Sequence, residues 1–457
     1  MKTSSIGLFI LFLAQLTAIA PVWSQVPPQF DLRMYDIIEE ASADRLQKDV
    51  QQLVDFGTRH TLSDTVSDTR GIGAARRWIK SEFDKISEAC GGCLEVSYQR
   101  TFVAKGDNSR IVKDVDIVNV IAIQRGTEFP DRYIIMSGDI DSRVSDATNY
   151  TDDSPGANDN ATGMVGAIEA ARILTKYEFP TSVIYVGLSG EEQGLYGGKF
   201  MAQMAIEEGW DIVGVLNNDM IGNIEGIDGV IDNRSFRIFS EPTPVTEEED
   251  VRKRRRFFGG EIDGVSRQLA RYVHRMTSTY MPEMNPTLIY RLDRFGRGGH
   301  HRPFNDAGFA GIRIMETHEN YNRQHQDLRT EDGVKYGDVI EKVNFDYNAR
   351  LTAVNAINLA GIAWAPPQPS EVSIAGAVRP NTTLVWESVG AENLAGYKIY
   401  WRETTEPQWK YSRFVPAEIT GYTLEGIVID NYLFGVASVG KDGNESVVVF
   451  PSQVIRR

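Results

Sequence analysis

Histidine and cysteine are scarce in this chain: 457 residues hold six of the first and two of the second. Two cysteines exclude a disulfide-dense scaffold and a four-cysteine zinc ribbon. So few histidines exclude a histidine-rich metal site, and any metal centre must lean on Asp and Glu. Only 18 Pro and 41 Gly are present, which leaves no collagen-like repeat and no long Pro/Gly linker. Positive charge is also in deficit: 48 Lys and Arg face 63 Asp and Glu, a formal charge of −15. Such a chain repels phosphate backbones, so no nucleic-acid partner is expected. No apolar run after the first 20 residues is long enough to cross a bilayer, and no stable membrane insertion is expected. Ser189 lacks a Gly-x-Ser-x-Gly elbow, which removes support for serine-nucleophile chemistry.

What remains is an ordinary globular composition, 42% hydrophobic and 24% charged. At roughly 100–200 residues per domain, the length suits two or three domains. Residues 6–20 are apolar and follow Lys2; Val22-Trp-Ser24 then places small residues for cleavage before Gln25. Residues 1–24 read as a signal peptide, with export to a periplasmic or extracellular space as the expectation. Cys90 and Cys93, in Cys-Gly-Gly-Cys, suit a small structural disulfide in that setting.

Periodicity predicts helices over 35–56, 73–86, 161–176, 195–207, 264–278 and 339–364. Strands are expected at 94–103, 115–124, 132–137, 181–188, 212–217, 287–290 and 311–315. This alternation argues an α/β domain over 25–364, a largely parallel mixed sheet flanked by helices. Residues 241–258, an acidic run followed by Arg252-Lys-Arg-Arg-Arg256, read as a solvated, flexible insertion. The proline cluster at 365–369 reads as a boundary, and 365–457 as a small all-β sandwich. There Leu384-Val-Trp386, Gly396-Tyr-Lys-Ile-Tyr-Trp-Arg402 and the strand from Tyr432 resemble a fibronectin type III domain. That resemblance names no partner for it.

Five clusters follow apolar strands, where open α/β sheets place their sites. They are Ser137-Gly-Asp-Ile-Asp141, Pro155-Gly-Ala-Asn-Asp159, Leu188-Ser-Gly-Glu-Glu192, Asn217-Asn-Asp219 and Asn320-Tyr-Asn-Arg-Gln-His325. Carboxylates gathered at neighbouring strand ends repel one another unless cations or protons neutralise them. Singly, each has a plainer explanation, and Asp159 would serve as a helix cap. Jointly they describe an oxygen-rich metal centre completed by one histidine, with adjacent Glu191 and Glu192 free to divide base and ligand roles.

This pattern resembles the co-catalytic-zinc exopeptidases of the bacterial leucyl aminopeptidase and aminopeptidase S type, over about 43–364. The resemblance implies a metallo-aminopeptidase that hydrolyses the N-terminal peptide bond of peptides, with two divalent metals. It implies Asp159 as the bridging ligand, Glu192 and His325 completing one site, and Asp219 in the other. It implies Glu191 as general acid/base, Asp141 as the carboxylate that orients a ligand, and His301 as a second-shell or substrate-binding residue. Tyr290 and Phe304 are candidates for lining a substrate pocket. The family's first His-x-Asp is here Asp139-Ile-Asp141, so one site would hold Asp139, Asp159 and Asp219, all oxygen. Such a set admits Mn, Mg or Ca beside zinc. His300 stands where the family commonly has Asp, and Arg329-Thr330 where it has Asp-Thr. His60 and His318 read as structural or second-shell, and His274 as exposed. Two other functions fit the retained motifs: a single-zinc glutaminyl cyclase-like enzyme and a catalytically degenerate peptide-binding protein.

Overall fold

The computed structural model describes Pro27 and residues 29–455. The expected signal peptide and its cleavage site lie outside the described residues. Within them, no helix is long and apolar enough to cross a membrane.

Eight strands form the main sheet: β1 (Leu94–Val103), β2 (Val115–Gln124), β3 (Phe129–Asp139), β4 (Thr181–Leu188), β5 (Asp211–Asn218), β6 (Ser235–Ser240), β7 (Asn285–Ile289) and β8 (Gly311–Glu316). Their order is β1-β2-β4-β3-β5-β8-β6-β7. The centre, β4-β3-β5-β8, is parallel; β1-β2, β2-β4 and β8-β6 are antiparallel. The fold is mixed α/β, as the alternation of elements predicts.

The central strands are apolar on both faces because both are covered. Ile134, Met136, Val183 and Tyr185 enter one core. Their chain neighbours Tyr133, Ile135, Ile184 and Val186 enter the other, as a two-residue period requires. The larger core is closed by α1 (Arg33–Glu40), α2 (Ala43–Asp55), α3 (Gly71–Ala89), α4 (Thr162–Leu174), α7 (Val265–Tyr280) and α9 (Phe345–Trp364). The smaller is closed by α5 (Tyr196–Glu207) and α8 (His301–Asp306). Between them in sequence lies α6 (Glu249–Phe257), which buries no residue.

Several boundaries differ from expectation, each for a local reason. The single helix expected at 35–56 is two. Ser42 interrupts it, its hydroxyl accepting from Arg45 N while its own N–H donates to the buried Glu169 carboxylate. The helix expected from 339 starts at Phe345, where the Asn344 side chain accepts from Tyr347 N; before it comes only a turn at Ile340–Lys342. The basic stretch read as a flexible insertion contains α6, whose acidic first turn and basic last turn suit the helix dipole. Strand β6 lacked a strong apolar signal and was not expected. Cys90 and Cys93 are disulfide-bonded, sealing the turn between α3 and β1.

Residues 370–454 form two further sheets. One orders Gly421–Leu424, Thr382–Glu387, Ser370–Ala375 and Gln453–Val454; the other orders Tyr411–Pro416, Leu394–Glu403 and Tyr432–Gly440. Trp386, Tyr397, Ile399, Phe434 and Val436 fill the space between them. These sheets dock on α7 through polar groups. Asp263 takes Arg271 from α7 at 2.6 Å and Arg402 from the second sheet at 2.9 Å, all three side chains fully buried. Trp409 Nε1 donates to Gln268, and Arg275 pairs with Glu445 at 2.7 Å.

Candidate metal centre

The loops that follow β3, β4, β5 and β8 leave the sheet at the same end, which gathers side chains far apart in sequence. Asp159 lies in an irregular turn, Ala157–Ala161, entered through Gly156 in the left-handed conformation. It does not cap α4, whose first turn has no side-chain cap. Instead the carboxylate of Asp338 accepts from the backbone N–H groups of Asn158 and Asp159 and fixes the turn. The Asp159 side chain faces His325, with Oδ2 3.0 Å from Nε2. Glu192 Oε1 lies 2.8 Å from the same nitrogen. Asp159, Glu192 and His325 thus each present a ligand atom within 4.8 Å of the others.

Backbone conformation singles out these loops as well. Leu195, Met220 and His325 all adopt left-handed φ near +50 to +65°; His325 is itself a cluster residue, Met220 follows Asp219, and Leu195 lies three residues after Glu192. Such conformations cost about 1–3 kcal/mol outside glycine and persist where the surrounding structure imposes them.

Neighbours hold the ligands in place. Arg143 Nε donates to Glu192 Oε2 at 2.7 Å, and its Nη2 lies 2.7 Å from His325 Nδ1. Gln324 Nε2 donates to Asp159 Oδ2 at 3.1 Å. Asp141 accepts from the backbone N–H of Glu191 and of Glu192, and from the Thr61 hydroxyl. It thereby orders the Glu191–Glu192 turn rather than a ligand side chain.

The remaining predicted ligands sit nearby with protein partners of their own. Asp139, at the end of β3, lies 2.5 Å from His300 Nδ1 and accepts from Asn160 Nδ2 at 2.8 Å. Asp219 pairs through Oδ2 with the fully buried Arg313 at 2.8 Å, while its Oδ1 is buried without a hydrogen-bond partner. Asp139, Asp159 and Asp219 do not close into a ligand group among the described residues. His301 is buried, with Nε2 2.8 Å from the Leu292 carbonyl and 3.5 Å from Asp293. Asp293 in turn binds Arg313, which connects His301 to Asp219 through two ion pairs.

Tyr290 is placed elsewhere. Its hydroxyl donates to the Pro407 carbonyl and accepts from Arg271, against the C-terminal sheets, with the Arg267 guanidinium 3.7 Å above the ring. A half-buried phenol takes the partners within its reach, and those belong to the docking contact. Phe304 is packed in the smaller core. His274 is half-buried against Gln408 rather than exposed.

Electrostatics follow from the crowding. Burial, then Glu192, Asp219 and Asp139, push Glu191 well above the usual carboxylate range. Burial, then Asp141, does the same to Asp139. Asp219 is pushed up to about 8 by burial, which outweighs Arg313. Burial opposes charge on Asp159, yet the His325 ring holds it below its ordinary value. Burial also opposes charge on His325, but Glu192 and Asp159 raise it to about 9. The imidazole proton is therefore held between two carboxylates, where a divalent cation would satisfy the same three groups. Two carboxylate oxygens and one imidazole form the mixed donor set that suits catalytic zinc with an open position. The residues present fit that ion.

Arg143 and Arg313 were not anticipated from sequence. A signal for Arg313 exists in Gly-Ile-Arg-Ile, a charge inside an otherwise buried strand, which demands a buried counter-ion. Arg143 sits two residues beyond Asp141 and carries no comparable mark.

Comparison with known proteins identifies the family of the chain. The profile of Peptidase family M28 matches residues 119–341, which contain the whole cluster but not the helices at 33–89 and 345–364. A probable zinc metalloprotease of Pyrenophora tritici-repentis is 37% identical over 93% of this chain and 98% of its own. One from Leptosphaeria maculans is 40% identical over 93% of this chain and 98% of its own. Among solved structures, the LapA aminopeptidase of Legionella pneumophila superposes with a TM-score of 0.51 at 16% identity, covering 74% of this chain and 76% of that one. That likeness concerns the fold. With full-length relatives at this identity and the zinc-compatible cluster inside the matched segment, the chain belongs to peptidase family M28 and is a zinc metallopeptidase.

Proposed function

We propose that this protein is an exported aminopeptidase that hydrolyses the N-terminal peptide bond of peptides. The observation that carries the reading is the convergence of Asp159, Glu192 and His325 on one point, with the neighbouring Glu191, which has no ion-pair partner among the described residues, raised in proton affinity by burial and then by Glu192. Asp159, Glu192 and His325 would hold zinc. The bound ion supplies Lewis-acid activation of water and of the scissile carbonyl. Glu191 takes the proton of the attacking water on its carboxylate and later delivers it to the departing amine. Its burial among other carboxylates supports that role, because a raised proton affinity makes a better base at neutral pH. Asp141, by receiving both backbone N–H groups of the Glu191–Glu192 turn, keeps base and ligand in fixed relation.

Asp139 and Asp219 would hold a second divalent ion only by giving up contacts to His300 and Arg313, since with Asp159 they form no closed ligand group among the described residues. The unpartnered, buried Asp219 Oδ1 supports such an ion, since an acceptor hidden from water needs a donor or a cation. His300 and Asn160 already engage both oxygens of Asp139, and Arg313 engages Oδ2 of Asp219, so this ion would be the more weakly held of the two. Export is supported by the apolar segment 6–20 with its cleavage pattern and by the disulfide. The sandwich at 370–454 is of fibronectin type III kind, supported by its two-sheet arrangement around Trp386 and Tyr397.

The decisive test replaces Glu191 by Gln. Metal content and folding should stay near those of the native enzyme while peptide hydrolysis falls by about 10²–10⁴-fold. Native turnover in that variant would remove Glu191 from the chemistry.

A further inference from the structure

Beside the metal centre lies an open cleft of about 480 Å³ whose charge is opposite to that of the molecule. Arg237, Arg291, Arg294 and Arg297 line it, with Glu319 as its one acidic residue. The Glu319 carboxylate is shared: Arg237 binds one oxygen at 2.9 Å and Arg294 the other at 2.7 Å. These two guanidinium side chains are only 17% and 10% exposed, so they are built into the wall rather than solvated at random. Arg291 and Arg297 have no carboxylate partner among the described residues. Arg297 Nη2 reaches to 3.4 Å from His325 Nδ1, which places this end of the cleft against a predicted zinc ligand. Arg291, farther along, lies 5.7 Å from the ring of Phe295, which is 88% exposed.

This arrangement concentrates uncompensated positive charge in one concavity of a chain with net charge −15. Like charges held close together are unfavourable unless an anion is brought to them. The buried Phe239 and half-buried Ile289 add apolar lining to the cleft, with the Arg237 guanidinium 5.2 Å from the Phe239 ring. A short methylene stem ending in a carboxylate matches both surfaces, with planar guanidinium groups suited to two-point binding of the acid.

We propose that this cleft receives a carboxylate of the peptide undergoing hydrolysis, and so gives the enzyme a preference for acidic substrates. The proposal rests on the peptidase reading of the neighbouring centre. The carboxylate comes either from an acidic N-terminal side chain or from the free C-terminus of a short peptide.

Matched substrate pairs separate the sources. Zinc-loaded mature enzyme is assayed on Glu and Gln coumarin amides, and on Leu-Leu and Leu-Leu-amide. The acidic member of one pair should be favoured by about tenfold or more in kcat/KM, the worth of one charge-assisted hydrogen bond. A preference for Glu assigns the side chain, and a preference for Leu-Leu assigns the C-terminus. Arg291→Gln and Arg297→Gln should each shrink the favoured ratio, and Arg291→Glu should reverse it. Raised salt should weaken it, because the cleft is open to solvent. Ratios near one in both pairs, with Leu-Leu still hydrolysed, would overturn the cleft assignment and leave the peptidase reading intact. A second measurement does not depend on turnover: calorimetric titration of the metal-free protein with glutarate and with glutaramide. Glutarate should bind more tightly, and more weakly to Arg291→Gln than to the native chain. Absent or equal binding overturns the proposal even if no peptide is hydrolysed, a result that would count separately against the peptidase reading.

Discussion

Replacing Asp263 by Asn tests how the C-terminal sheets are fastened to the α/β body. Asp263 stands just before α7 and receives Arg271 Nη1 at 2.6 Å and Arg402 Nη2 at 2.9 Å on each oxygen. Gln268 Nε2 adds a bond at 3.0 Å. All three charged side chains are fully buried, so water cannot replace the lost carboxylate. The amide keeps the shape but leaves two guanidinium groups facing a neutral acceptor. Breaking a buried ion pair by removing one partner costs about 3–5 kcal/mol, and with two cations stranded the upper half of that range is expected. Arg402→Met should cost less, because Asp263 keeps Arg271. The double variant should show a favourable coupling of about 2 kcal/mol relative to the sum of the singles. Urea unfolding, followed by tryptophan fluorescence, reads all three; Trp409 lies in this contact and donates to Gln268. Limited proteolysis near residues 365–369 gives an independent measure of undocking. A loss below about 0.5 kcal/mol for Asp263→Asn, the scale of an ordinary surface change, would refute the view that this carboxylate fastens the two parts.

Asp139→His should raise the share of zinc retained through dialysis against a weak chelator, and Asp139→Asn should lose the weaker of two metals; unchanged stoichiometry in both variants removes Asp139 from the ligand set. Glu241 is raised to about 7 by burial, then by Asp306, and one of its oxygens has no partner. A carboxyl raised in the folded state stabilises below its unfolded value near 4.5, and that contribution is lost as pH rises to about 7. Glu241→Gln should therefore flatten the decline in urea midpoint between those pH values, and an unaltered pH profile would contradict the assignment.

Much of the fold was legible because local physics sets it. Val115–Gln124 and Thr181–Leu188 occupy the spans their apolar patterns predict, since burial on both faces forces a continuous run between turn residues, and Leu94–Val103, a mostly exposed edge strand, does so between its Gly and Lys-Gly turns. The chemistry-bearing clusters were legible for the same reason: polar residues clustered directly after a buried strand stand out. The break at Ser42 was less visible, because its cause, the Glu169 carboxylate, lies 127 residues away.

The sequence by itself determined which residues stand at the strand ends and how much negative charge collects there. Only the tertiary structure decided which of them meet. Asp159, Glu192 and His325 come from three loops and converge on one imidazole nitrogen, whereas Asp139 and Asp219 turn to His300 and Arg313. Tyr290, similar in type and position to a pocket residue, faces Pro407 of the C-terminal sheets instead. Periodicity reports that a side chain points inward or outward, while its partner is selected by strand order and loop path. A buried charge accepts whichever counter-charge that path delivers, and no local pattern encodes the delivery.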